Sequence, residues 1–292
     1  MTEAVAARMV PGMRDFAGRT AVVTGAGSGI GRALAHRFAA ERMKVVLADV
    51  EAAPLAAVEA ELREKGTTTL AVRTDVSRAA DVEALARRTI ETFDAVHVLC
   101  NNAGVFSAGP SWELSLADWE WVLGVNLWGV IHGVRTFVPI MLRQDTEAHV
   151  VNTASMAGLL ASPYSAIYNV TKFGVVALSE SLQQELAIVN AKVRVSVLCP
   201  AWVNTNIADA DRNRPADAPP PRALTPEQQA MQEVGRQMLA SGLAPERVAD
   251  IVLDAIRAEL FYVLTHPEWK VAVRERMENI LEDRTPGVGS FV

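Results

Sequence analysis

The chain has 292 residues, half of them hydrophobic and 21% charged, with a net charge of −6. That much apolar material buries a sizeable core and excludes wholesale disorder, and the length fits one large α/β domain or two small ones. The mildly acidic balance gives no electrostatic reason to bind nucleic acid or an anionic membrane. Cys100 and Cys199 lie in apolar runs and in no metal-ligand spacing, so reduced, buried thiols and no metal site are expected. The first 18 residues carry Glu3, Arg8, Arg14 and Asp15 and no signal-type apolar run. No stretch reaches the roughly 18–20 consecutive apolar residues of a membrane span. A soluble, cytoplasmic protein is expected.

In chain order, a short β-branched run at 20–24 meets a glycine-rich turn and a helical pattern at 30–41. A second run at 44–49 precedes a helix at 55–64, a third at 68–74 a helix at 79–93, and a fourth at 96–101 a long helix at 119–142. Runs at 149–155, 192–199 and 261–265 follow, with a helix at 172–189 between the first two. The runs are nearly continuous in apolar character, as strands covered on both faces must be. The alternation predicts an α/β fold, a doubly wound Rossmann-type parallel sheet of about seven strands with helices on both faces. Right-handed crossovers place every strand C-terminus on one ligand-binding edge. One stretch breaks the rhythm: 204–224 is polar and rich in proline (Pro215, Pro219, Pro220, Pro221) and precedes a helix at 226–240. It is too long for an ordinary connector and is either a functional lid or a floppy insertion. With no composition shift to mark a boundary, the expectation is a single domain with a substrate flap near 204–242 and short terminal extensions.

The first turn reads Thr24-Gly25-Ala26-Gly27-Ser28-Gly29-Ile30-Gly31. Glycines there let a pyrophosphate approach backbone N–H groups at a helix N-terminus, although the spacing is not the usual dinucleotide fingerprint and lacks the end of a P-loop. The second strand ends at Asp49, where a dinucleotide fold places the acid that holds the adenosine ribose. A carboxylate repels a 2′-phosphate, and neither Ser28 nor Val50 is basic, so NAD is expected over NADP. A strand-end aspartate can also simply cap the next helix.

At Asn101-Asn102-Ala103-Gly104 and Tyr168-Asn169-Val170-Thr171-Lys172 the chain resembles the short-chain dehydrogenase/reductase family of the single-domain type, over residues 18–265. The motifs stand in family order: the glycine turn, the acid at Asp49, Asp75-Val76, N-N-A-G, Asn126, Ser155, Y-x-x-x-K, and the segment from Pro200 to Thr205. Tyr168 and Lys172 are spaced i, i+4, on one helix face. A phenol of pKa about 10 is a poor base at neutral pH unless an ammonium and an oxidised nicotinamide stabilise its phenolate. Tyr168 is then the general acid/base and Lys172 its tuning partner. The resemblance implies that Ser155 orients the substrate oxygen and that Asn126 holds a water of a proton relay; a helical Asn bonded to backbone is the alternative. It further implies cofactor contacts at Gly25, Ser28, Gly29, Ile30, Gly31, Asp49, Val50, Asp75, Val76, Asn102, Val203 and Thr205, with Tyr168 and Lys172. Where the family has Pro-Gly this chain has Pro200-Ala201, followed by Trp202, and the added methyl tightens that turn.

Substrate contacts are expected from Ser155, Tyr168 and Trp202, with Phe106, Trp112, Met156, Leu159, Leu160 and Tyr164 on the surrounding loops. Few fixed charges stand among them, which suits an apolar or aromatic secondary alcohol or its ketone. The tail Phe261 to Trp269 is similar to that of some bacterial aryl-alcohol Cα-dehydrogenases of the family. The resemblance implies that the helices at 119–142 and 172–189 pair across subunits as a homodimer or homotetramer. Two other functions share this fold, a catalytically inactive nucleotide sensor and an epimerase or dehydratase of nucleotide sugars. The four catalytic side chains count against the first, and the short stretch after residue 223 against the second.

Overall fold

The computed structural model describes residues 13–216, 218–219 and 225–287, so part of the 204–224 stretch, Pro220 and Pro221 included, lies outside the described residues. The apolar runs form strands β1 (Thr20–Thr24), β2 (Lys44–Asp49), β3 (Thr69–Arg73), β4 (Val98–Asn101), β5 (Ala148–Thr153), β6 (Val193–Cys199) and β7 (Tyr262–Leu264). They make one sheet in the order β3-β2-β1-β4-β5-β6-β7, every neighbour parallel. Side chains alternate between its faces. Val23, Leu47, Cys100, Val151 and Leu198 point to one core; Val22, Val46, Leu99, Val150 and Val195 point to the other.

The first core is covered by α1 (Gly29–Ala40), α2 (Ala52–Glu64) and α8 (Pro245–Ala258). The second is covered by α3 (Ala79–Phe93), α5 (Gly129–Gln144) and α6 (Ala166–Ile188). Helices α4 (Leu116–Leu123), α7 (Pro226–Ala240) and α9 (Lys270–Leu281) complete the chain order. The sheet is the expected doubly wound Rossmann-type α/β fold. The chain builds outward from β1 to β3 and then restarts at β4 on the other side of β1. The crevice at that reversal is where such sheets bind ligands.

Several boundaries differ from expectation, each for a local reason. α4 begins three residues before Trp119 because Ser115 and Asp118 form a reciprocal cap: Ser115 Oγ accepts from the Asp118 N–H at 3.2 Å, and the Asp118 carboxylate from the Ser115 N–H at 2.9 Å. A π-helical turn, Gly124–Trp128, joins α4 to α5. The resulting Leu116–Gln144 stretch is long and apolar enough to cross a membrane by length and composition; its most apolar 18-residue window has a mean hydropathy of 1.3, and 44% of that window is buried inside the protein. α6 begins at Ala166, well before residue 172, so Tyr168 and Lys172 both lie in its first turns. β5 ends at Thr153, so Ser155 lies just past the strand rather than at its end. α8 and α9 have no counterpart among the expected elements, and α9 occupies what was expected to be a short terminal extension. Its Arg276 guanidinium stacks 5.0 Å over the Phe173 ring of α6.

Where it is described, the polar insertion has structure of its own. Asn206–Asn213 forms a 3₁₀ segment kinked at Asp209. Ala210 is buried in a cluster with Val105, Trp121, Val122 and Ile167. Arg212 and Asn213 both donate to Glu51 Oε1, at 3.0 and 2.7 Å, and Arg214 pairs with Asp118. Arg236 of α7 reaches Asp209 at 2.9 Å. The segment is a strap whose C-terminal end is tied both to Glu51, just past β2, and to the cap of α4.

Candidate active site

The glycine turn brings the start of α1 against the ends of β1 and β4. A Cβ on Gly31 would stand 2.0 Å from the Gly25 carbonyl oxygen, so no other residue fits, and Gly25 itself has φ +66°. Ser28 is the N-cap of α1, but its side chain makes no capping bond and the first turn holds no acid. The first N–H groups of α1 are thus left for an anion, as a pyrophosphate requires. Asp49 secures this turn from the neighbouring strand: Oδ2 accepts from the Gly27 N–H at 2.8 Å and Oδ1 from the Glu51 N–H at 2.9 Å. Burial raises the Asp49 carboxyl above its ordinary value, and these amide bonds offset only part of the rise. Val50 is exposed beside it.

The other expected cofactor contacts surround the same crevice. Asp75 Oδ1 accepts from both the N–H and hydroxyl of Ser77, at 3.0 and 2.6 Å. Val76 is buried against Gly129 of α5. Asn102 uses its side chain as a staple: Nδ2 donates to the Thr24 carbonyl at 3.0 Å, and Oδ1 accepts from the Thr153 hydroxyl at 3.3 Å. It binds β1, β4 and β5 together at their C-terminal ends. Thr205 lies over the start of α1, where a Cβ on Gly29 would meet its Cγ2 at 3.0 Å. Val203 is buried and bridges to Leu243. Two arginines that the motif reading leaves out stand close by: Arg73 Nε donates to the Val50 carbonyl at 3.1 Å, and Arg212 is neutralised by Glu51.

Tyr168 and Lys172, one turn apart on α6, converge with Ser155 at the ends of β5 and β6. The buried Lys172 Nζ donates to the Thr153 carbonyl at 2.9 Å and lies 5.4 Å from the Tyr168 ring centroid. Ser155 caps the short Met156–Gly158 turn, accepting from the Ala157 N–H at 3.1 Å and donating to the Pro200 carbonyl at 3.3 Å. Gly158 holds that turn against α6, since a Cβ there would meet the Lys172 carbonyl oxygen at 2.6 Å. Burial pushes the Tyr168 phenol up to about 12, while hydrogen bonding to Ser155 acts in the opposite direction. Burial also brings Lys172 down to about 8. The expected lowering of the phenol is therefore not supplied by Lys172 alone: at 5.4 Å from the ring its charge does not offset desolvation.

Asn126 is fully buried in the π-helical turn, a device frequent at functional sites. Its amide is held from both ends by Val105, with Oδ1 accepting from the N–H and Nδ2 donating to the carbonyl, each at 2.8 Å. It fixes the chain just past Gly104, and Gly104 lies between Asn126 and Lys172. Among the surrounding apolar residues, Phe106 packs edge-on against Tyr168 with centroids 5.2 Å apart. Met156 and Leu160 belong to the core instead, and Trp112 is 82% exposed. Among the described residues no group of three or more His, Cys, Asp or Glu side chains could hold a metal.

Known proteins share this arrangement at several levels of similarity. Residues 19–216 match the short chain dehydrogenase family profile. A crystal structure of a short chain dehydrogenase/reductase from Burkholderia phymatum in complex with NAD superposes with a TM-score of 0.93 at 47% identity, covering 96% of this chain and 100% of that one. The C alpha-dehydrogenase of a Sphingobium species is 32% identical over 278 residues, 94% of this chain and 89% of its own length. The CLA biosynthesis dehydrogenase/reductase of Lactiplantibacillus plantarum is 31% identical over 279 residues, 94% of this chain and 98% of its own length. With the family profile spanning about two thirds of the residues and the sheet, glycine turn and Ser–Tyr–Lys convergence in place, the chain belongs to the short-chain dehydrogenase/reductase family and is an NAD(P)-dependent oxidoreductase acting on CH–OH groups.

Proposed function

We propose that this enzyme interconverts an apolar or aromatic secondary alcohol and its ketone with NAD(H), using Tyr168 as general acid/base. The observation that carries this reading is the convergence of Ser155, Tyr168 and Lys172 beside an uncapped α1 N-terminus. The cofactor supplies the hydride acceptor or donor and, when oxidised, a positive charge near the phenol. Ser155 orients the substrate oxygen and Tyr168 takes or returns the hydroxyl proton. Lys172, held by the Thr153 carbonyl, adds charge that favours the phenolate. Asn126 acts by fixing Val105 and the loop before it; a water of a proton relay would have to reach Lys172 past Gly104.

The glycine turn at Gly25, Gly29 and Gly31 and the N–H groups from Ser28 to Ile30 would hold the pyrophosphate. Asp49 and Val50 would frame the adenosine ribose, Asp75 and Val76 the adenine, with Asn102, Val203 and Thr205 lining the remaining length. NAD is favoured over NADP by the Asp49 carboxylate, with Arg212 already paired to Glu51. Phe106 and Trp202 supply apolar substrate contacts. The reading includes a cytoplasmic enzyme, in keeping with two buried free thiols, assembled as a dimer or tetramer. A panel of aryl and alkyl secondary alcohols, followed by the absorbance of reduced nicotinamide with each cofactor in turn, tests it. Turnover of aryl alcohols with NAD is the expected result, and no turnover with any alcohol or ketone would reject it. Light scattering on the eluted protein checks the assembly.

A further inference from the structure

The strap reaches both walls of the crevice at the strand C-termini. Its start is anchored by backbone: the Leu243 N–H donates to the Trp202 carbonyl and the Asn204 N–H to the Leu243 carbonyl, each at 3.0 Å. Thr205 then passes over Gly29 at the start of α1. On the wall formed by α4 and the loop after β4, Ala210 is buried with Val105, Trp121 and Ile167. There Arg214 pairs with Asp118 and lies 5.4 Å from the Trp121 ring centroid. On the β2 wall, among the described residues, the strap's hydrogen bonds all end on Glu51. Glu51 is two residues past Asp49 and gives its N–H to that carboxylate at 2.9 Å, so the tie is made at the adenosine end of the expected cofactor site.

The side chains are arranged for this tie. Glu51 is the N-cap residue of α2, yet its side chain caps no backbone N–H. Oε1 instead accepts from Arg212 Nε at 3.0 Å and from Asn213 Nδ2 at 2.7 Å. Arg212 Nη1 donates to the Asn206 and Asp209 carbonyls, at 3.0 and 2.9 Å, so the strap braces the guanidinium that it offers to Glu51. Burial acts to raise the Glu51 carboxyl, but the bonds from Asn213 and Arg212 outweigh it and hold the group below its ordinary value. The tie is therefore charged at neutral pH. The Arg212 and Glu51 side chains are 36% and 26% exposed, and water competes for such a pair. Arg214, at 8%, is far better shielded on the opposite wall. The strap thus parts more readily from Glu51 than from Trp121 and Asp118.

We propose that Glu51 is a latch residue for the cofactor: with Arg212 and Asn213 it closes the strap over the adenosine half of the crevice, and the dinucleotide enters and leaves when this tie opens. Glu51 is a positioning residue that acts through the strap, which stays seated on Trp121 and Asp118 throughout. The inference rests on the dinucleotide site of the reading above and is independent of which alcohol is oxidised. A latch that closes the free and the loaded protein alike slows entry and exit together and leaves affinity nearly unchanged.

Stopped-flow fluorescence of the reduced nicotinamide tests this, with NADH binding followed directly and its release followed on displacement by excess NAD. Glu51→Ala is expected to speed both association and release about tenfold, the effect of losing one charged hydrogen bond, with little change in Kd. Arg212→Met/Asn213→Ala, which leaves Glu51 without a donor from the strap, should reproduce both rates. Adding Glu51→Ala to that variant should then change nothing further. Unchanged rates in both variants overturn the proposal. So does faster release with weaker affinity and no faster association, which would make Glu51 a cofactor contact. An undiminished Glu51→Ala effect in the Arg212→Met/Asn213→Ala background overturns it too, by placing the effect in α2. If NADPH binds and NADH does not, the NAD reading fails separately and the same rates with NADPH decide the latch. Binding of neither to the wild type would reject the dinucleotide site and the latch with it.

Discussion

Replacing Tyr168 by Phe removes one oxygen and leaves the ring's edge-on packing against Phe106 in place. Turnover should fall by about 10²–10⁴, the usual worth of a positioned acid/base, while calorimetric NAD affinity stays near wild type. The proton's location sets the pH dependence. With the phenol pushed up to about 12 by burial, alcohol oxidation, which needs the phenolate, should accelerate as pH rises through the neutral and alkaline range. Ketone reduction, which needs the phenol, should show no such rise. Lys172 carries its charge below about 8, so Lys172→Met should move the oxidation limb to higher pH. Initial rates in both directions across pH check both statements. Asp49→Ala removes the carboxylate that repels a 2′-phosphate, so the NAD-over-NADP ratio of kcat/KM should narrow. The Tyr168–Lys172 pair was legible because four residues of helix set its geometry. The partner of Asn126 was not, because Val105 lies in another element and only packing brings its backbone within 2.8 Å.

At the next level up, two elements carry the site and behave differently. α1 must start within touching distance of β1, and Gly31→Ala would drive a methyl into the Gly25 carbonyl; the turn itself would have to move. The strap at Asn206–Asn213 rests on side chains instead. Arg214 is 8% exposed and pairs with Asp118, whose carboxyl is held below its ordinary value by Ser115 and this guanidinium despite partial burial. Arg214→Met leaves Asp118 with only its cap partner, so amide exchange over residues 206–213 should speed up while α1 keeps its protection. Mass-spectrometric exchange measures both segments at once, and an unchanged strap would show that Ala210 packing with the Glu51 and Arg236 contacts holds it without Arg214. The insertion's departure from helix–strand rhythm was visible in its prolines. Its shape was not, since the partners that hold it, Glu51, Asp118 and Arg236, lie in three separate parts of the chain. α8 left a legible apolar stripe at Val248, Val252 and Ile256, and its burial follows that spacing. α9 buries no residue, so periodicity had little to mark.

For the molecule as a whole, one buried imidazole, His149, and one half-buried imidazole, His97, link stability to acidity. His149 is brought down to about 3 by burial and by Arg194, and His97 to about 4 by burial, Arg19 and Lys44. His149 Nε2 donates to Ser196 Oγ at 2.8 Å, because that hydroxyl already gives its proton to the Leu260 carbonyl. Between these values and the ordinary 6.5 the unfolded chain binds more protons than the folded one. The stabilisation from keeping both rings neutral is complete above about pH 6.5 and is lost as pH falls towards 3. Urea midpoints should therefore drop between pH 7 and 4, and His149→Asn should make that drop shallower. By itself the sequence determined what neighbours along the chain can encode: alternating strands, the tight glycine turn before α1, and a phenol one helical turn from an amine. Only the tertiary structure decided that Lys172 is gripped by Thr153, that Ser155 leans on Pro200, and that the strap is tied at Glu51 and Asp118. A parallel sheet sets side by side strand ends that are far apart in the chain, and no local pattern specifies the distances across those gaps.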